Sequence, residues 1–328
     1  MTVLQTGGET AVGMACGVMK AMKNIPEGER QTARYAAIDI GSNTVQLLLA
    51  EVCGGRIVER QNEIRTTRLG AGNAPGLLSV TAIRLTAQAV AEYMEKIRQY
   101  GASRTRIIAT SAVRDAANRE LLLSEIRLAA PEAPAVEVVS GKQEAALSFR
   151  GAHASLEFPL EWPVVDVGGA SSELIFWQNG QADGVSADVG AVRVMRSGWS
   201  RAETAQRLHA VFDGRGKSPV VIGVGGTITT AAGLLQGLTA YDRARIEGQE
   251  LSLDGLVSLL QQLTAHPRAA RCSLSPLLEK RGEIIVEGLW IWLTILAIVG
   301  AERVVVTGGG LLDGAVMELV TTDNCVVF

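Results

Sequence analysis

The sequence predicts an α/β fold of two similar domains, and three observations carry that prediction. One strand–turn–strand pattern is written twice, as Tyr35-Ala-Ala-Ile-Asp39-Ile-Gly41-Ser42-Asn43-Thr44-Val-Gln-Leu-Leu-Leu49 and as Pro163-Val-Val-Asp166-Val-Gly168-Gly169-Ala170-Ser171-Ser172-Glu173-Leu-Ile-Phe176. Further apolar strands alternate with stretches of helical periodicity, the pattern of an α/β class. The 328 residues are 47% hydrophobic, enough to fill two cores.

Residues 1–33 contain no basic secretory start, since the first Lys is Lys20, and the apolar stretch Ala11 to Met19 is broken by Gly13 and Gly17. They read as a poorly ordered extension. A first domain is expected over 34–155 and a second over 156–328, with the last helix packing back on the first domain. After the first hairpin, Val58 to Gly72 is polar, ends in a Gly-Ala-Gly turn, and places Arg65 and Arg68 within reach of an anion in the cleft. Ser79 or Thr81 opens a helix with Ile83, Val90, Met94 and Ile97 at helical spacing, ended by Gly101. Strand Arg106 to Ala109 runs into Thr110-Ser111 and a helix, an arrangement that aims free N–H groups at an anion. Strand Val136 to Val139 precedes Ser140-Gly-Lys142-Gln143-Glu144, a capping-box helix start. Strand Val220 to Gly223 ends in Gly225-Gly226-Thr227, and strand Val304 to Val306 in Gly308-Gly309-Gly310. The apolar run Leu289 to Val299 is about half of a membrane span and reads as a buried core helix; no membrane span is expected.

The turns carry the chemistry. Tips of Gly, Ser and Asn leave backbone N–H groups unscreened, and such concavities accept phosphate oxygens. Each reads as half of a phosphate clamp, and Asp39 and Asp166, at the same place before each tip, suit a divalent cation beside those phosphates. The net charge of −3 argues against a nucleic-acid coat. Cys16, Cys53, Cys272 and Cys325 form no Cys-x-x-Cys pair and fit a reducing compartment. His153, His209 and His266 lack metal-ligand spacing. Gly216-Lys217-Ser218 fails as a Walker A tail because Val211 stands where its first Gly belongs, and no complete Gly-x-Gly-x-x-Gly occurs at 223–228 or 308–313. Trp290 and Trp292 read as core and interface packing.

Five motifs in order, Asp39-x-Gly-Ser-Asn43, Thr110-x-Ala112-x-Arg114-x-Ala116-x-Asn118, Ser140-Gly-x-x-Glu144-Ala145, Asp166-x-Gly-Gly-x-Ser-x-Glu173 and Gly223-x-Gly-Gly-Thr227, resemble those of the exopolyphosphatase and guanosine pentaphosphate phosphatase (Ppx/GppA) family. The resemblance covers about residues 34 to 320. It implies two ribonuclease-H-like domains of the actin, sugar kinase and heat-shock ATPase superfamily, with an interdomain cleft. It implies a cytoplasmic, Mg²⁺-dependent (or Mn²⁺-dependent) hydrolase that removes terminal phosphate from inorganic polyphosphate or, as the alternative, from guanosine pentaphosphate. Residue by residue, Glu144 matches the base that activates water, and Glu173 and Arg114 complete the catalytic set. Asp39, Asp166 and Glu173 match metal-placing carboxylates, and Gly41, Ser42, Asn43, Arg114, Gly168, Gly169, Ser171, Gly225, Gly226 and Thr227 match phosphate-binding positions. Members often form dimers across the second domain, where the Trp290 helix is the candidate contact. Two departures stand out: Ala170 replaces the third Gly of the usual turn, and Gly308-Gly-Gly-Leu-Leu-Asp313-Gly314 replaces Gly-x-Arg-Glu-Gly. The triple Gly resembles the nucleotide-side loop of sugar kinases and keeps nucleotide substrates open. An ATP-dependent kinase and a non-catalytic polyphosphate or alarmone sensor are the competing classes.

Overall fold

The computed structural model describes residues 32–70, 76–156 and 158–324. Nearly all of the expected N-terminal extension, Cys16, Cys325 and most of the Gly-Ala-Gly turn lie outside the described residues. The strands are β1 (Thr32–Ile40), β2 (Thr44–Cys53), β3 (Arg56–Thr66), β4 (Arg104–Ala109), β5 (Val136–Val138), β6 (Val164–Val167), β7 (Ser172–Gln178), β8 (Gln181–Ala187), β9 (Val220–Val224), β10 (Glu250–Ser252) and β11 (Arg303–Val306). They make two sheets, in the orders β3-β2-β1-β4-β5 and β10-β11-β9-β6-β7-β8. In each sheet three antiparallel strands from a meander are continued by two parallel ones, β1 beside β4 and β5, and β6 beside β9 and β11. The duplicated hairpin is thus the visible part of a duplicated sheet.

The helices are α1 (Val80–Tyr100), α2 (Ser111–Arg114), α3 (Arg119–Ala129), α4 (Gly141–Ser155), α5 (Ala191–Ser197), α6 (Arg201–Phe212), α7 (Gly226–Leu235), α8 (Arg243–Ile246), α9 (Leu253–Thr264), α10 (Arg268–Arg271), α11 (Ile285–Val299) and α12 (Leu311–Asn324). Ser79 caps α1 by accepting from the Ala82 N–H, and Gly101 ends it in the left-handed region at φ 74°. The capping box at Ser140 and Gln143 is complete, with both reciprocal bonds made. Among the described residues no helix is long and apolar enough to cross a membrane.

Alternation along the strands sorts residues between layers. Ala36, Ile38 and Ile40 of β1 pack with Ile83 and Val90 of α1, whereas Tyr35 and Ala37 pack with Ala315, Val316 and Leu319 of α12. In the second sheet Val165 and Val167 face Trp292, Ile295 and Leu296 of α11, and Val164, Ile175 and Ile222 face Ala145, Phe149 and Ala152 of α4. Leu147, on another side of α4, joins the first sheet's cluster with α12. Helix α4 therefore touches both halves, which brings Glu144 near both hairpins.

Two differences from the sequence reading concern polar segments. The stretch after the first hairpin is an 11-residue edge strand, β3, and the second hairpin likewise gains β8. Their residues alternate poorly because one edge and much of both faces are exposed. The helix expected after Thr110 is one turn only, ending at Asp115 before α3 begins at Arg119. Its dipole is too short to carry the anion-binding argument.

Candidate active site

Four carboxylates are gathered where the two halves meet. Asp39 lies one residue before the end of β1, only 8% exposed, and its Oδ1 has no hydrogen-bond partner among the described residues. Asp166 of β6 stands directly opposite Glu173 of β7, so both side chains share one face of the sheet. Glu173 accepts a hydrogen bond from the Ser186 hydroxyl at 2.7 Å. Glu144 sits in the first turn of α4.

Burial pushes all four upward, and the charge of Glu144 adds to it at Asp39, Asp166 and Glu173. Burial, then the charges of Glu144 and Asp166, raise Asp39 to about 8. Burial, then Glu144, raise Asp166 to about 7. Burial, then Asp166 and Glu144, raise Glu173 to about 8 against the Ser186 and Ser171 hydrogen bonds. Burial also raises Glu144, against the pull of Arg114. At neutral pH Asp39 and Glu173 therefore keep much of their proton until a cation joins them. Among the described residues no three His, Cys, Asp or Glu side chains form a ready cage for one ion. Mg²⁺ needs none, because it is commonly held by one or two carboxylates plus substrate phosphates and water. The unpartnered Asp39 Oδ1 and the repelling donor set fit such an ion.

Arg114 donates from Nη1 to Glu144 Oε2 at 3.1 Å and to the Val139 carbonyl at 3.0 Å. The structure thus places it on the carboxylate of α4. Arg65, expected toward the cleft, is instead paired with Glu92 at 2.5 Å and lies over the Tyr93 ring. Arg68 is exposed in a left-handed conformation, φ 54°, and its N–H bonds the Asn43 carbonyl.

The hairpin tips divide the labour between glycines and their neighbours. Gly41 and Gly168 spend their N–H groups on Thr44 and Ser171 carbonyls at 3.0 Å each, closing the turns. The N–H groups of Ser42, Asn43, Gly169 and Ala170 have no protein acceptor among the described residues. Those four residues line a cleft of about 730 Å³, together with Ser111, Ala112, Asp115, Arg193 and Arg196. Ser171 is buried beneath the second tip.

Gly225 is held at φ 91°, where a Cβ would lie 2.6 Å from Asp166 Oδ1, so only Gly lets the β9 tip approach that carboxylate. A Cβ on Gly226 would fall 2.0 Å from the Arg281 guanidinium. Thr227 is buried against Gly288 of α11 and does not line the cleft. Arg281 was not foreseen from the sequence: it is half-buried, with no hydrogen-bond or ion-pair partner among the described residues, and burial lowers its pKa. Its polar, aperiodic surroundings gave no signal.

The third glycine loop, which resembles the nucleotide-side loop of sugar kinases, differs from the two tips in how its amides are used. Gly308 N–H bonds Glu247 Oε2 at 3.1 Å, Gly309 bonds Thr307 Oγ1 at 3.0 Å, and Gly310 bonds Asp313 Oδ2 at 3.3 Å. Arg243 pairs with both carboxylates, and Arg60 of β3 pairs with Asp313 at 2.8 Å. All three glycine amides of that loop are thus taken by protein acceptors.

Comparison with known proteins bears on family and fold. The family model described as the Ppx/GppA phosphatase family matches residues 50–323. Exopolyphosphatase 2 of Mycobacterium tuberculosis is 33% identical over 315 residues, covering 87% of this chain and 98% of that protein. A guanosine-5'-triphosphate,3'-diphosphate pyrophosphatase of Photobacterium profundum is 27% identical over 297 residues, covering 88% of this chain but 59% of that protein. The crystal structure of the Aquifex aeolicus Ppx/GppA family member superposes with a TM-score of 0.77 at 27% identity, covering 90% of this chain and 99% of that one. Its fold, that of the actin-like ATPase superfamily, is the fold of this chain.

Proposed function

Because the chain belongs to the Ppx/GppA phosphatase family of phosphoanhydride hydrolases, we propose that it is an exopolyphosphatase that removes the terminal phosphate of inorganic polyphosphate with the help of Mg²⁺. The observation that carries the reading is the cleft itself: four unclaimed amides at two facing tips, arginines on its wall, and no aromatic side chain among its described lining residues. Such a surface grips phosphate and gives a purine nothing to stack on. The higher identity to the Mycobacterium exopolyphosphatase, 33% against 27% for the pyrophosphatase, supports the same choice.

In this reading the amides of Ser42, Asn43, Gly169 and Ala170 hold the terminal phosphoryl oxygens, with the pre-organisation that charge stabilisation requires. Glu144 orients the attacking water and takes its proton, a task that its raised pKa suits. Arg114 positions Glu144 through the 3.1 Å contact and turns to phosphate as charge arrives. Asp39, Asp166 and Glu173 would hold a divalent cation one or two at a time. When bound, that ion neutralises charge on the transferring phosphoryl group. The phosphorus–oxygen bond to the chain breaks as the bond to water oxygen forms, so the terminal group leaves as orthophosphate and the bridging oxygen departs with a polyphosphate one unit shorter.

The test is phosphate release, with Mg²⁺ present, from linear polyphosphate, guanosine pentaphosphate and ATP side by side. Release that is fastest from polyphosphate is expected. Preference for guanosine pentaphosphate would replace this reading with the nucleotide one, and ATP loss that requires a phosphoryl acceptor would make the protein a kinase.

A further inference from the structure

The cleft is far larger than one phosphoryl group, and its wall beyond the second tip is α5. Arg193 and Arg196 both line it, three residues apart and so on one face of the helix. Arg193 is anchored to the tip, donating from Nε to the Ala170 carbonyl at 2.7 Å, with Asp188 at 3.4 Å on its other side. Arg196 is exposed and has no ion-pair or hydrogen-bond partner among the described residues. Ser197 continues the same wall.

We infer that Arg193 and Arg196 form a second anion station that holds the phosphates behind the scissile one, making α5 the determinant of preference for long linear polyphosphate. The inference rests on the exopolyphosphatase reading and deepens it. Its logic is geometric: a terminal phosphate between the tips has Ala170 as neighbour, Arg193 is fixed to Ala170, and Arg196 lies one helical turn further along the cleft. A linear polyanion repeats its charge along that path, whereas a short one ends before it. An exposed, unpaired guanidinium on the wall of a phosphate cleft costs little to keep and becomes useful only when charge is laid against it.

The test pairs hydrolysis with binding at two chain lengths, tripolyphosphate and long-chain polyphosphate. Arg196→Glu is expected to raise KM for the long chain about ten-fold more than for tripolyphosphate. Arg196→Lys should keep most of the long-chain affinity, and added salt should narrow the gap. Arg127→Glu, the same charge reversal on an exposed residue of α3, controls for net charge and should leave the ratio at its parental value. Fluorescence anisotropy of labelled tripolyphosphate and labelled long-chain polyphosphate, on a Glu144→Gln background, should give the same ordering without turnover. An Arg196→Glu protein whose KM and Kd change equally at both lengths, or at neither, overturns the inference and leaves the hydrolase intact. If the parent releases phosphate from neither polyphosphate, the exopolyphosphatase reading falls, and the anisotropy series alone decides whether α5 binds by chain length.

Discussion

At the scale of single residues, the carboxylates are held where either a proton or a cation relieves their burial and repulsion. Asp39, Asp166 and Glu173 have ordinary values of 3.8, 3.8 and 4.5 but titrate at about 8, about 7 and about 8 when folded. Between about pH 4 and pH 8 the folded protein keeps protons that the unfolded chain has lost, so these groups make metal-free stability fall as pH rises through that window. Thermal midpoints without metal should therefore fall toward pH 8, Asp39→Asn should flatten the slope, and Mg²⁺ should raise the midpoint more at high pH than at low. A slope that is the same in Asp39→Asn would disprove the coupling. Arg281 gives a second prediction. With no partner to lose among the described residues, Arg281→Met should not lower the thermal midpoint, yet it should weaken polyphosphate turnover by roughly ten-fold if the guanidinium beside Gly226 serves phosphate. The carboxylates were legible because each stands at a fixed place beside a glycine tip. Arg281 and Arg196 were not, since an exposed or loop arginine looks the same whether or not a cleft lies beside it.

At the scale of elements, the crossing of α4 and α12 is the most constrained contact. A Cβ on Gly151 would sit 1.9 Å from the Gly310 carbonyl, and one on Gly314 would sit 1.9 Å from the Leu147 carbonyl. Both clashes are with backbone, so the helices themselves must part. Gly151→Ala should cost about 1–3 kcal/mol, measured by denaturant unfolding, and should slow catalysis because α4 carries Glu144. Unchanged stability would mean that the crossing is looser than the contact distances state. Helices α1 and α4 could be read from Ser79, Gly101 and the Ser140–Gln143 box, because caps are local chemistry. Strands β3 and β8 could not, because edge strands with Glu59, Gln61 or Asp183 facing solvent lack the apolar alternation that marks a half-buried strand.

At the scale of the molecule, the two halves are joined by α4 and α12 and by a polar lock. Arg60 of the first sheet reaches Asp313 across 253 residues of sequence, and Arg243 of the second half shares the same carboxylate. Arg60→Met should loosen the halves at a cost of about 1–3 kcal/mol for the weakened buried pair, seen as a broadened or split calorimetric transition. A single, unshifted transition would show that the lock carries no coupling. The duplicated sheet was legible from its repeated hairpins. The lock was not, because no local pattern announces a contact between residues so far apart, and the triple Gly gives no sign that Glu247 and Asp313 take its amides. In the proposed reading polyphosphate is cut with water held by Glu144 and a divalent cation held by Asp39, Asp166 and Glu173. The most direct measurement is phosphate release from linear polyphosphate by the parent and by Glu144→Gln, each with Mg²⁺ and with the metal chelated. The account predicts release by the parent with Mg²⁺ alone, and a loss of about 10²-fold or more in the variant with binding retained. Release by the variant near the parental rate, or by the parent after chelation, would contradict it.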